Sequence, residues 1–215
     1  MNKISVLGAG TFGISLARLL ANKGFEVTVY VHNETKAQLL RETRHHERFK
    51  DVLLPESIVY TSDLKEAFKD KEMVVYAIPS TSIREVATLS KEYVEDGQFI
   101  VDVAKGMEKD SLLTLTEVID DVYKNDTLKY VVLSGPTHAE EVIKDMPTAI
   151  VAASKDIEAA KVVQETFSVD FFRVYTNEDI RGIEICGALK NIMAIAAGLS
   201  DGLGFGDNHK RFTRD

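Results

Sequence analysis

The stretch Ile4-Ser5-Val6-Leu7-Gly8-Ala9-Gly10-Thr11-Phe12-Gly13-Ile14-Ser15-Leu16-Ala17 decides the fold. Four residues of a buried strand run into three spaced glycines, after which Ile14, Leu16, Ala17, Leu19 and Leu20 recur at helical spacing until Gly24. Each glycine has a steric reason: Gly8 for a tight turn, Gly10 for close approach of a ligand to the backbone, Gly13 for close packing of helix on strand. The first N–H groups of the helix have no partner inside it and face one spot beyond the strand, which suits an anion. A bare G-x-G-x-x-G is a weak signal, and its glycines can serve a turn that holds nothing. Its place between a strand and a helix makes it the cradle for a dinucleotide's pyrophosphate.

Working outward, the same strand-and-helix alternation continues. Strands are predicted at 27–31, 58–60, 73–78, 99–103 and 130–133, and further ones at 148–152 and 171–175. Helices fall between them, with Asn33 capping one over 34–40, Ser62 or Asp63 capping one over 64–68, one starting near Ser82, and one over 112–123. The fold class is therefore α/β: a Rossmann-like, doubly wound, mainly parallel sheet with extra strands. From about Asp179 the pattern becomes a helix with hardly any charge, which needs cover on most sides. The expected division is a dinucleotide-binding domain over 1–178 and the start of a helical substrate domain over 179–215.

Acidic residues number 34 against 26 Lys plus Arg, a formal charge of −8 in 215 residues. That field repels a phosphate backbone, so nucleic acid is excluded as a partner. Apolar runs are read as interrupted by Gly or charge before the length a membrane span needs, so no span is expected. The first strand begins at once, without a basic segment and apolar run, which points to the cytoplasm. The single Cys186 cannot make an internal disulfide and is read as a buried structural thiol. Adjacent His45 and His46 beside Arg41, Arg44 and Arg48 are read as a solvated basic face, with no ligand set for a metal.

The end of the second strand reads Val31-His32-Asn33, where NAD-selective domains usually carry a carboxylate for the ribose hydroxyls. With His32, Lys36 and Arg41 there instead, NAD or NADP is permitted. Lys190 sits mid-helix with Cys186 and Gly187 one turn before it and Met193 and Ala194 one turn after. That small, apolar face suggests a partly desolvated ammonium whose pKa falls toward neutrality, as a general base requires. A lysine that snorkels to the surface is the other reading. Lys105, just past a strand at the carboxyl edge of the sheet, is a substrate or cofactor cation or a solvent lysine. Gly135-Pro136-Thr137 also follows a strand and is expected to open a helix, so its N–H groups and the Thr137 hydroxyl are candidates for substrate.

At Leu133-Ser134-Gly135-Pro136-Thr137-His138-Ala139-Glu140-Glu141 and Gly187-Ala188-Leu189-Lys190-Asn191 the chain resembles the bacterial NAD(P)-dependent sn-glycerol-3-phosphate dehydrogenases. The resemblance extends to Gly8–Gly13, Ala77-Ile78-Pro79-Ser80, Lys105-Gly106, Pro147-Thr148-Ala149, Arg173-Val174-Tyr175 and Gly204-Phe205-Gly206-Asp207-Asn208, in family order. It implies interconversion of glycerol 3-phosphate and dihydroxyacetone phosphate for phospholipid synthesis. It also implies Lys190 as the catalytic proton acceptor and Lys105, Gly135 and Thr137 on substrate. Cofactor contacts implied are Gly8, Gly10, Thr11, Phe12, Gly13, His32, Lys105 and Ala139. Family chains run on through an all-helical domain, whereas here a basic tail over 209–215 departs from the pattern, so the chain is read as truncated. Two alternatives accompany this reading: a dinucleotide-binding remnant without catalysis, and another dehydrogenase of ketopantoate-reductase or 3-hydroxyacid type. The uncovered face of helix 180–199 is expected to pair two chains as a homodimer.

Overall fold

The computed structural model describes residues 1–205, so Gly206, Asp207, Asn208 and the tail 209–215 lie outside the described residues. Eight strands form one sheet: β1 (Lys3–Leu7), β2 (Glu26–Tyr30), β3 (Val59–Thr61), β4 (Met73–Tyr76), β5 (Phe99–Asp102), β6 (Lys129–Ser134), β7 (Thr148–Ala153) and β8 (Phe172–Asn177). Their order, β3-β2-β1-β4-β5-β6-β7-β8, is the doubly wound arrangement with two strands added at one edge. The central strands are apolar on both faces because helices cover both sides. Accordingly Ile4, Val6, Val75 and Val101 pack in one cluster and Leu7, Val74, Tyr76 and Ile100 in another.

The helices follow the sequence-based expectations closely. They are α1 (Thr11–Asn22), α2 (Glu34–Thr43), α3 (Leu64–Phe68), α4 (Ile83–Ser90), α5 (Leu115–Tyr123), α6 (Ala139–Val142), α7 (Ile157–Phe167) and α8 (Ile180–Gly202). Asn33 caps α2 by accepting the Lys36 N–H at 3.0 Å, and Asp63 caps α3 by accepting the Lys65 N–H at 2.8 Å. The helix expected over 112–123 starts only at Leu115, because Leu112 sits in the left-handed region at φ 56°. Glu117 fixes that start by accepting the Thr114 N–H at 2.9 Å. After β6 the chain makes only the four-residue α6 before turning back, so β7 runs antiparallel to β6. A parallel return would need a longer crossover, which α7 supplies between β7 and β8.

Helix α8 is capped by Asp179, whose carboxylate accepts the Gly182 N–H at 2.8 Å. Its first turns pack Ile180 and Ile183 on Val132 and Ala153 of the sheet. Beyond them Leu189, Ile192, Met193, Ile195 and Leu199 are exposed, Ile195 by 65%. Two readings of α8 are revised here, the interruption of its apolar run and the burial of Cys186. The 23-residue α8 is long and apolar enough to cross a bilayer by length and composition, because its glycines and Lys190 do not interrupt the helix. Cys186 is exposed and is not the buried thiol that was expected.

Candidate active site

The strand order reverses between β1 and β4, so α1 and the helix after β4 lie on opposite faces and a crevice opens at the carboxyl ends. Tyr76 of β4 stands beside both Leu7 of β1 and Asp102 of β5, so the turns that follow these three strands rise side by side. Over β1 lies the glycine turn. Gly8 has φ +112°, a conformation L side chains rarely adopt, and its N–H donates to Tyr30 O at 3.0 Å. Gly13 approaches so closely that an added Cβ would stand 2.2 Å from Gly8 O. Around Gly10, by contrast, an added Cβ would meet nothing within 4 Å.

Gly10 is also the N-cap of α1, with no side-chain cap and no acidic residue in the first turn. The leading N–H groups of α1 are thus left without a side-chain acceptor at an open position, which fits a pyrophosphate. The Ser15 hydroxyl, buried in α1, lies 2.9 Å from Thr11 O and 3.1 Å from Ala139 O. It ties the glycine turn to the segment after β6.

Phe12, Ala77, Ile78, Val103, Ala104, Lys105, Thr137, Ala139 and Lys190 line one cleft of about 340 Å³. A second hollow of about 250 Å³ adjoins it, lined by Ser134, Gly135, Pro136, Ile183, Cys186 and Gly187 together with the same Lys105 and Lys190. Both lysines therefore face the space where the hollows meet. Lys105 is half-buried and donates to Gly135 O at 2.9 Å. Burial and then the Lys190 ammonium push the Lys105 pKa below the usual lysine range. The Thr137 hydroxyl lies 3.4 Å from Gly135 O, and α8 crosses so near that a Cβ on Gly187 would stand 3.0 Å from Ser134 Oγ.

Of the residues singled out from the sequence, Phe12, Lys105, Thr137, Ala139 and Lys190 meet in the first cleft and Gly135 joins them in the second. Gly8, Gly10, Thr11 and Gly13 form the turn at the rim. His32 stands apart, exposed beyond β2 and outside both linings. Arg41 and Lys36, named with His32 near the end of the second strand, are engaged: Arg41 with Glu34 and Tyr60 O, Lys36 with Glu47 at 3.3 Å. The expected desolvation of Lys190 is corrected, since the residue is exposed at the mouth of both hollows. Gly135-Pro136-Thr137 does not itself open a helix, which begins at Ala139 after an extended His138.

Two groups went unread in the sequence and a third was misread. Asp102 is fully buried at the end of β5, its Oδ1 accepting the Ala104 N–H at 3.1 Å while Oδ2 has no partner. Burial pushes its pKa well above the carboxylate range, the Ala104 N–H opposes that shift and Glu184 adds to it. Glu184 of α8 is itself buried and accepts from Thr116 N at 2.9 Å and Thr116 Oγ1 at 2.6 Å. A carboxylate within an otherwise apolar strand or helix run was the available signal for both. The third is His46, placed on a solvated face by its basic neighbours, yet only 2% exposed. No group of three or more His, Cys, Asp or Glu that could hold a metal occurs among the described residues.

Comparison with known proteins gives matches over most of the chain. The family described as NAD-dependent glycerol-3-phosphate dehydrogenase N-terminus matches residues 3–160, and the one described as its C-terminus matches 179–213. A glycerol-3-phosphate dehydrogenase (NAD(P)+) of Lactobacillus delbrueckii is 49% identical over 97% of this chain and 63% of its own length. The corresponding enzyme of a Thermoanaerobacter species is 45% identical over 97% of this chain and 62% of its own. The crystal structure of glycerol-3-phosphate dehydrogenase from Coxiella burnetii superimposes with a TM-score of 0.89 at 33% identity, over 99% of this chain and 65% of that one. The chain thus spans less than two thirds of the length of the relatives it matches.

Proposed function

Since the chain belongs to the NAD-dependent glycerol-3-phosphate dehydrogenase family, we propose that it interconverts sn-glycerol 3-phosphate and dihydroxyacetone phosphate with NAD or NADP. The observation that carries this reading is the convergence of Lys105 and Lys190 on one cleft beside an anion-ready glycine turn. Two ammonium groups facing a shared space favour a doubly charged phosphorylated substrate. A nicotinamide dinucleotide, when bound, supplies the acceptor or donor of hydride. The residues of this chain do the rest.

In this reading Gly8, Gly10, Thr11, Phe12 and Gly13 hold the pyrophosphate through backbone N–H groups and close contact, Ala139 borders the cofactor, and His32 stands at its ribose end. Lys105 and Thr137, braced through Gly135 O, orient the substrate. Lys190 takes the proton from the substrate's secondary hydroxyl in the oxidative direction and returns it in the reductive one.

Residues 1–178 are taken as the dinucleotide-binding domain and 179–215 as the start of a helical substrate domain. The exposed apolar residues of α8 are read as the face by which two chains pair, in the cytoplasm rather than in a bilayer. Sedimentation showing only monomer at high concentration would oppose the pairing. The function itself is tested by mixing the purified chain with NADH or NADPH and dihydroxyacetone phosphate and following absorbance loss, with calorimetry of cofactor binding alongside. Turnover supports the proposal; saturable binding with no turnover reduces it to a dinucleotide-binding module.

A further inference from the structure

The segment joining α2 to β3 leaves the helix at Arg44, in the left-handed region at φ 55°, and brings His46 back beneath the glycine turn. Both ring nitrogens of His46 are used. Nδ1 lies 3.2 Å from the Arg48 N and Nε2 lies 3.2 Å from Ala9 O, while the ring leans on Phe49 with centroids 5.3 Å apart. A backbone N–H can only donate, so Nδ1 is the acceptor and Nε2 carries the hydrogen given to Ala9 O. The geometry therefore selects one neutral tautomer. An imidazolium would set an Nδ1–H against the Arg48 N–H.

Ala9 O belongs to the same planar peptide as the Gly10 N–H, and in a trans peptide the two point in opposite directions. Drawing the carbonyl toward His46 turns the Gly10 N–H away from it, toward the open side of the turn. We propose that His46 is a positioning residue for the dinucleotide, holding the Ala9–Gly10 peptide plane through its neutral Nε2–H tautomer, so that protonating the ring weakens binding. The inference rests on the dinucleotide reading above.

Burial and then Lys36 lower the His46 pKa below the usual imidazole range, with Arg48 adding to them; the bond to Ala9 and the Glu47 carboxylate oppose them. Lys36 comes from α2 and Glu47 and Arg48 flank the ring in its own segment. Lys36 holds the Glu47 carboxyl below the usual carboxylate range, which leaves His46 as the imidazole of this cluster. His32 and His45 are exposed and are untouched by substitution at 46.

The test is calorimetric titration with NAD+, whose pyrophosphate keeps its charge, from about pH 8 to about pH 5. Wild-type affinity is expected to fall about fivefold to tenfold on acidification, the size of one lost hydrogen bond at the turn. His46→Gln retains a donor that does not titrate, and its affinity should change less than about twofold over the same range. His46→Leu should bind weakly already at the alkaline end, with thermal melting as a folding control. An unchanged pH profile in His46→Gln, or wild-type affinity in a folded His46→Leu, overturns the proposal. Failure of the folded wild type to bind NAD+ at the alkaline end sinks instead the dinucleotide reading itself, and with it this inference.

Discussion

Alanine at Gly13 and alanine at Gly10 should fail in opposite ways. At Gly13 the new Cβ would stand 2.2 Å from Gly8 O and 3.2 Å from Ala77 Cβ. Real Cβ contacts stay beyond 3.0 Å, so α1 must retreat from β1 by the better part of an ångström. The obstacle is a backbone carbonyl whose own N–H is bonded to Tyr30 O at 3.0 Å, so no side-chain rotation relieves it. Overpacking of this kind costs about 1–3 kcal/mol, against which alanine's better helix propensity returns at most about 1 kcal/mol. The net expectation is a loss of roughly 1–2 kcal/mol in urea unfolding. Gly10 has φ −75° and ψ 174°, open to any residue, and a Cβ there meets nothing within 4 Å. Its replacement should leave stability within about 0.5 kcal/mol, because the lost cap preference and the stiffer unfolded chain roughly cancel. Dinucleotide affinity should nonetheless drop at least about tenfold, since the methyl occupies the ligand's approach. Equal stability losses in the two variants, or unchanged NAD+ affinity in Gly10→Ala, would refute the assignment of one glycine to packing and the other to ligand.

Four further substitutions test the site and the buried groups beside it. In active protein, Lys190→Met should cut kcat by about 10²–10⁴ while NAD+ affinity stays within about twofold, and Lys105→Met should act mainly on KM for dihydroxyacetone phosphate, as steady-state kinetics with calorimetry would reveal. Asp102→Asn tests the buried acid: its folded pKa is raised above the unfolded value, so the stability it contributes is complete below the ordinary carboxyl range and is lost as pH rises through the folded value. The amide does not titrate, so urea midpoints should show Asp102→Asn gaining on wild type from about pH 4 upward, and parallel pH curves would count against the burial argument. Thr116→Val leaves Glu184 without its 2.6 Å hydroxyl partner and should cost about 1–3 kcal/mol in the same unfolding assay, whereas an exposed, adaptable carboxylate would absorb the change without loss.

How much of this was legible in the sequence depended on whether a signal was local. The eight strands followed from alternation of apolar runs with helices, and the caps Asn33 and Asp63 act within three residues of themselves. The glycine turn was equally local. Lys105 and Lys190 were found one by one, each from the element it ends or rides on, but their meeting across two hollows is a product of α8 crossing β6, which no spacing encodes. The environment of Lys190 was misjudged for a related reason. A small, apolar helical face says that something packs there, and does not say that the residues in hand supply it; α8 has its first turns on the sheet and its later apolar residues exposed.

His46 marks the opposite failure. Its sequence neighbours are Arg44, His45, Glu47 and Arg48, a context that reads as solvated, and its two partners were invisible for different reasons. The Arg48 N–H is a main-chain donor that any residue there would offer, and the Ala9 carbonyl is a main-chain acceptor in a turn already assigned to glycines. Side chains that act by gripping backbone leave no pattern of complementary residue types, so sequence reading finds the glycines that let a ligand in and misses the side chain that aims the peptide between them. The functional geometry of the turn is accordingly a property of two distant segments, 8–13 and 44–49, and substitutions in the second should register in the first.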